Sequence, residues 1–210
     1  MTPMRQLLIK RLQEINVCAE ELEVILAQER KRLKARAAKV AAMPGSDGSF
    51  GDLFDDLADD WDRLDNTIPS VVRSALFARV VSEFEMILCY LAKQHIARHH
   101  LKFRLADLKG DGLRKVRLFF ERFTDVGFPD VNELWEEITK LADLRNVVLH
   151  NEARISTEDI GGFEKFRGKW GKAILWDAGG KVTFGDAAVQ VVVLSYMNFL
   201  REFFRNYPNA

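Results

Sequence analysis

The chain has 210 residues, of which 48% are hydrophobic and 30% charged, and its 31 Lys and Arg are balanced by 31 Asp and Glu. That is enough for one well-buried core with a helical extension but hardly for two independent domains, and the composition excludes a disordered or a membrane class. Zero net charge excludes a general attraction to nucleic acid, so any such contact must come from a local cluster of cations.

Cys18 and Cys89 each sit in an apolar helical pattern without CxxC spacing, which indicates neither a disulfide framework nor a zinc knuckle. The run Leu7-Leu8-Ile9 is broken by charge at once, and no stretch approaches the roughly 20 apolar residues that span a bilayer. A cytoplasmic location with no membrane contact is the expectation.

From Met4 to about Ala42, apolar residues from Leu8 to Leu26 recur every three or four positions with no Gly or Pro between them, which predicts one long helix. Its second half, Arg30 to Arg36, is basic, and Pro44-Gly45-Ser46-Asp47-Gly48 breaks it. An acidic amphipathic helix follows over 52–65, with Leu53, Phe54, Leu57, Trp61 and Leu64 at helical spacing. The two opposite charge blocks are either solvated faces or pair with each other or with a partner chain. Pro69 then opens a second long helix, running through Val80, Phe84, Leu88 and Leu91 to about His99 and apolar enough to form a bundle core.

Lys109-Gly110-Asp111-Gly112 interrupts the pattern before a short amphipathic helix carrying Val116, Phe119, Phe120 and Phe123. No strand precedes this Gly-Asp-Gly, so it is a poor phosphate loop. Asp130 stands three residues before Glu133, the spacing of a capping box, and predicts a helix through Leu134, Ile138, Leu141, Leu144 and Val148 to about Ala153. Ile174-Leu175-Trp176 and Lys181 to Phe184 flank Asp177-Ala178-Gly179-Gly180, a hairpin signature, and a last helix is expected from about Asp186 to Tyr207. The fold class is therefore all-α, with a long N-terminal helix and a small β-hairpin before the C-terminal helix.

One helix carries polar residues that its apolar pattern does not need: Arg145, Asn146 and His150. Asn146 and His150, four apart, share a face, whereas Arg145 points about 140° away from His150, so the two converge through the long Arg side chain or across a dimer axis. An Asn buried in a helix is costly unless it has a partner. Arg, a polar residue directly after it, and His five positions on resemble the R-x4-6-H motif of the HEPN superfamily. The surroundings are similar to the same plan: the long helix over 70–99, the Asp-Leu-Lys-Gly link at 107–110, and the closing hairpin and helix. The resemblance spans about 67–207. It implies a HEPN-like up-and-down helical bundle domain at 67–210, with 1–66 as an N-terminal extension.

What the resemblance implies is a metal-independent endoribonuclease, acting as a homodimer whose two motifs face each other, of a kind that often serves as a toxin or antiphage effector. RNA would be the substrate, with no cofactor and no metal, and an antitoxin or other regulatory protein a further partner. The RNA 2′-hydroxyl would attack its own phosphate, giving a 2′,3′-cyclic phosphate. His150 can move a proton near neutral pH, as base or acid. Arg145 would hold the phosphate and Asn146 would orient His150 or the 2′-hydroxyl. The alternative is a non-catalytic binding or scaffolding module, in which Arg145 and His150 cap the end of their helix.

Elsewhere, His95 and His99 share a face at a spacing that can chelate a cation, but no Cys or HExxH pattern accompanies them. A basic, RNA-facing end formed by Arg98, His99, Lys102 and Arg104 is the better reading, with Asn151 a further RNA contact beside the motif. Glu83 and Glu85 do not share a face, which argues against a dicarboxylate site.

Overall fold

The computed structural model describes residues 3–42, 51–129 and 134–207. The all-α class and the single hairpin are both observed. Helix α1 (Pro3–Ala41) leads to α2 (Gly51–Asp62), a π-helical turn at Arg63–Thr67 and α3 (Ile68–Arg98). Then come α4 (Gly112–Phe123), α5 (Leu134–His150), α6 (Ile160–Trp170), strands β1 (Ile174–Trp176) and β2 (Val182–Phe184), and α7 (Ala188–Asn206). The capping box expected at Asp130 and Glu133 lies outside the described residues. Among the described residues no helix is long and apolar enough to cross a membrane. The expected break before Pro69 is a widened turn instead, in which the Ile68 amide donates to the Arg63 carbonyl. A proline ring clashes with the carbonyl four residues back, and a π turn moves that carbonyl aside without ending the helix.

Pairings fix the helix directions. Arg11 meets Glu83 and Arg73 meets Glu23, so α1 runs against α3. Phe84 stacks on Tyr196 with ring centroids 4.0 Å apart and His95 lies near Tyr207, so α7 runs along α3. Trp135 meets Phe199 and Glu137 meets Ser195, which sets α5 against α7. Helix α4 does not reverse the direction of α3. There the link over 99–111 doubles back, leaving Gly112 beside Glu85 and Phe119 beside His95, so α4 advances with α3.

The core lies between α3, α4, α5 and α7, where Phe84, Phe119, Phe120, Tyr196, Phe199 and Phe203 are all fully buried. Leu8, Ile9, Leu12 and Ala19 belong to that same core, whereas Leu33, Val40 and Leu57 form a separate small cluster. A division at residue 66 therefore misplaces the first half of α1, which is an integral bundle helix; only its second half and α2 project as an extension. Apolar side chains alone bind that extension weakly, and its opposite charges do pair: Arg36 with Asp60 at 3.1 Å and Arg30 with Asp65 at 2.5 Å.

Helix α6 falls where the sequence reading assigned no element. It buries Phe163, Phe166 and Trp170, and the Trp170 indole donates to the fully buried Glu137 of α5 at 3.1 Å. Ser195 donates to the same oxygen and Lys169 approaches the other at 2.7 Å, so this carboxylate is compensated on each side.

Candidate functional site

Arg145 leaves the last two turns of α5 half-buried, and its guanidinium donates to Glu85 of α3 at 2.9 Å. The side chains keep 22% and 25% of their exposure, so the pair is screened only in part. The Arg145 Nε is buried without a hydrogen-bond partner among the described residues, as is the Tyr196 hydroxyl. Burial holds the Tyr196 phenol well above its ordinary range, and the Arg145 charge works against that rise.

Gly112 closes on Glu85 from α4. A Cβ there would come 2.8 Å from Glu85 Oε1, and its φ of +40° belongs to a region where side chains are strained. Glycine at 112 therefore leaves room for the Glu85 carboxylate to lie against the start of α4. Glu85 itself escaped the sequence reading, which considered it only together with Glu83. The two acids do part company: Glu83 is buried between Arg11 at 2.7 Å and Arg79 at 2.8 Å, tying α1 to α3. Two acids, Glu83 and Glu85, standing in the apolar run of α3 were the available signal.

These groups open on a cleft of about 370 Å³ that Asp111, Asp143, Arg145 and Asn146 line. Asn146 is exposed, so the premise that a buried Asn needs a polar partner fails: water supplies it. His150 is exposed as well and is not part of this lining, so one protomer brings Arg145 and Asn146 together but leaves His150 apart at the end of α5. His150 at one end of the motif is exposed, and Arg145 at the other is half-buried beneath the cleft.

The turn after His150 is constrained. Glu152 and Ala153 both have φ above +50°, unusual for residues with side chains. Lys181 donates to the Glu152 carbonyl, Val182 to that of Ala153 at 2.8 Å, and Ile155 to that of Gly180 at 2.9 Å. A Cβ at Gly180 would collide with the Ile155 carbonyl, which is why the hairpin turn carries glycine there. The hairpin thus anchors the segment that ends at the motif. Asn151 belongs to this turn, its carbonyl accepting from Arg154 at 2.8 Å.

The residues predicted to face RNA divide. Arg98 and His99 line a larger cleft, about 1300 Å³, where the C-terminal ends of α3, α4 and α7 meet the start of α1. Lys102 and Arg104 are exposed outside that lining, and Arg104 closes its own loop on Asp107. His95 and His99 stack face to face with centroids 4.2 Å apart rather than aiming nitrogens at one point, and among the described residues no group of three metal-ligating side chains occurs. The His95 Nδ1 meets the Tyr207 hydroxyl at 3.0 Å. Burial, His99 and Arg98 push the His95 imidazole below its ordinary value, Asp125 opposing them. Comparison of the sequence with models of known families and with curated proteins, and of the fold with solved structures, finds no match.

Proposed function

We propose that this protein is a metal-independent endoribonuclease of the HEPN type, working as a homodimer. The observation that carries this reading is the Arg145–Glu85 pair: a guanidinium fixed in direction at the floor of an open cleft, with Asn146 and His150 exposed on the same helix end. A fixed cation can stabilise the charge that builds on a phosphate during reaction without reorganising first. In the reaction the RNA 2′-oxygen bonds to phosphorus as the bond to the 5′-oxygen breaks. The 2′-hydroxyl proton leaves to a base, and an acid returns a proton to the 5′-oxygen. His150 is suited to either task. A two-fold axis would bring a second His150 and a second Arg145 to one cleft, which a single protomer does not do, and exposed Leu149 offers apolar surface for that contact.

A second reading has its own support. Asp111 and Asp143 join Glu85 around the cleft against Arg114 and Arg145, so one protomer presents more negative than positive charge there. On that reading Arg145 is a structural ion pair and the domain binds or scaffolds. Incubating the purified protein with RNA in EDTA separates the two. The parent should release fragments ending in 2′,3′-cyclic phosphate, and Arg145→Ala and His150→Ala should be slower by about 10²–10⁴-fold. RNA left intact by the parent, together with a His150→Ala protein that merely melts earlier, would establish the scaffolding role instead.

A further inference from the structure

Where α3, α4 and α7 end together, the His95–His99 stack, Tyr90 and Gln94 share the walls of the large cleft with Arg98 and Arg122. Cations at helix C-termini often do no more than cap carbonyls, and Arg5 does so here, donating to the carbonyls of Phe204 and Tyr207. Arg122, Gln94 and the ring nitrogens of His99 differ. They line the cleft, are exposed, and have no hydrogen bond or ion pair among the described residues. His95, by contrast, is buried and held by Tyr207, so the inner ring of the stack is fixed and supports the outer one.

Flat ring faces, an amide able to donate and accept, and cations at the rim are the groups that recognise a heteroaromatic base joined to a phosphate. The cleft exceeds the 300–1000 Å³ common for small ligands, so one such unit fits with room beside it. Asp125 at the rim disfavours a bare multivalent anion. We infer that this cleft is a nucleotide-binding site, with His99 stacking on the base and Arg122 and Arg98 holding the phosphate. It lies about 15 Å along α3 from Glu85, counted as ten residues of helix rise, and is a site separate from the Arg145 cleft.

The ligand is either a free nucleotide or an unpaired nucleotide within single-stranded RNA. Full-length protein is titrated with a short fluorescein-labelled 2′-O-methyl oligoribonucleotide, with uridine and adenosine 5′-monophosphates, and with inorganic phosphate. The methyl group removes the attacking hydroxyl, so binding is read whether or not the protein cuts RNA. His99→Ala and Arg122→Ala, both at exposed positions, should each weaken binding about tenfold, the range for loss of one stacking or phosphate contact, while Arg201→Ala changes nothing. Tighter binding of the oligonucleotide than of the monophosphates assigns the site to RNA, and equal binding assigns it to free nucleotide. Unchanged affinity in both cleft variants, or displacement of the nucleotide by phosphate at equal concentration, overturns the inference.

Discussion

The two clefts along α3 handle charge in opposite ways. Beside Glu85 the cations are answered within the protomer: Arg145 by Glu85 at 2.9 Å, and Arg114 by Asp143 at 3.9 Å. Beside His95, Arg122, Gln94 and the ring nitrogens of His99 face solvent without a hydrogen bond or ion pair among the described residues. An arginine already paired is held in one direction before any ligand arrives, which suits a reaction that depends on orientation. Side chains without partners gain theirs only when a ligand enters, which suits binding.

The largest effect that would break this contrast comes from Gly112. An alanine there adds strain of about 1 kcal/mol at its positive φ and pushes its Cβ into Glu85. Displacing Glu85 should swing Arg145 out of line and slow RNA cleavage about 10²-fold, the usual consequence of a misplacement near 1 Å. Binding of the uncleavable oligonucleotide at the other cleft should stay at the parental level. Equal loss in both assays would mean that the two clefts are one site.

A smaller effect measures the pair itself. In a double-mutant cycle with Glu85→Gln and Arg145→Gln, read by denaturant unfolding, the coupling should be about 1–2 kcal/mol, above the 0–1 kcal/mol of exposed ion pairs, because both side chains are largely buried. A coupling near zero would leave Arg145 free to turn and would remove the orienting role assigned to Glu85.

Local periodicity carried most of the bundle. The long helices and the hairpin follow from spacing and from Asp177-Ala178-Gly179-Gly180, because burial of one helix face and the chemistry of a turn are both local demands. Helix α6 escaped because Gly161, Gly162 and Gly168 dilute its propensity, although Phe163, Phe166 and Trp170 keep helical spacing. Packing against Glu137 and the hairpin overrides that weakness. Within the site, the shared face of Asn146 and His150 was legible, since a spacing of four fixes it. The burial of Asn146 was misjudged, because periodicity cannot tell which flank of a helix a neighbour covers. The partnership of Glu85 with Arg145 spans 60 residues and appears only when α3 and α5 pack. The same holds for the large cleft, whose walls come from four separate chain segments.

The mildest test concerns pH and sharpens the contrast from the His95 side. His95 is a base whose folded value lies below its ordinary 6.5, with Arg98 and His99 adding to the effect of burial and Asp125 opposing it. The unfolded chain therefore takes up a proton before the folded one does. Stability is fully present above pH 6.5 and is lost as pH falls below it toward the folded value. The melting temperature should drop between about pH 7.5 and 5.5, and His95→Gln, which keeps an amide within reach of Tyr207 but cannot titrate, should flatten that drop. A parent and a His95→Gln protein with the same pH slope would show that His95 protonates as readily in the fold as outside it, and its ring would then carry charge against His99 in the stack on which the proposed base rests.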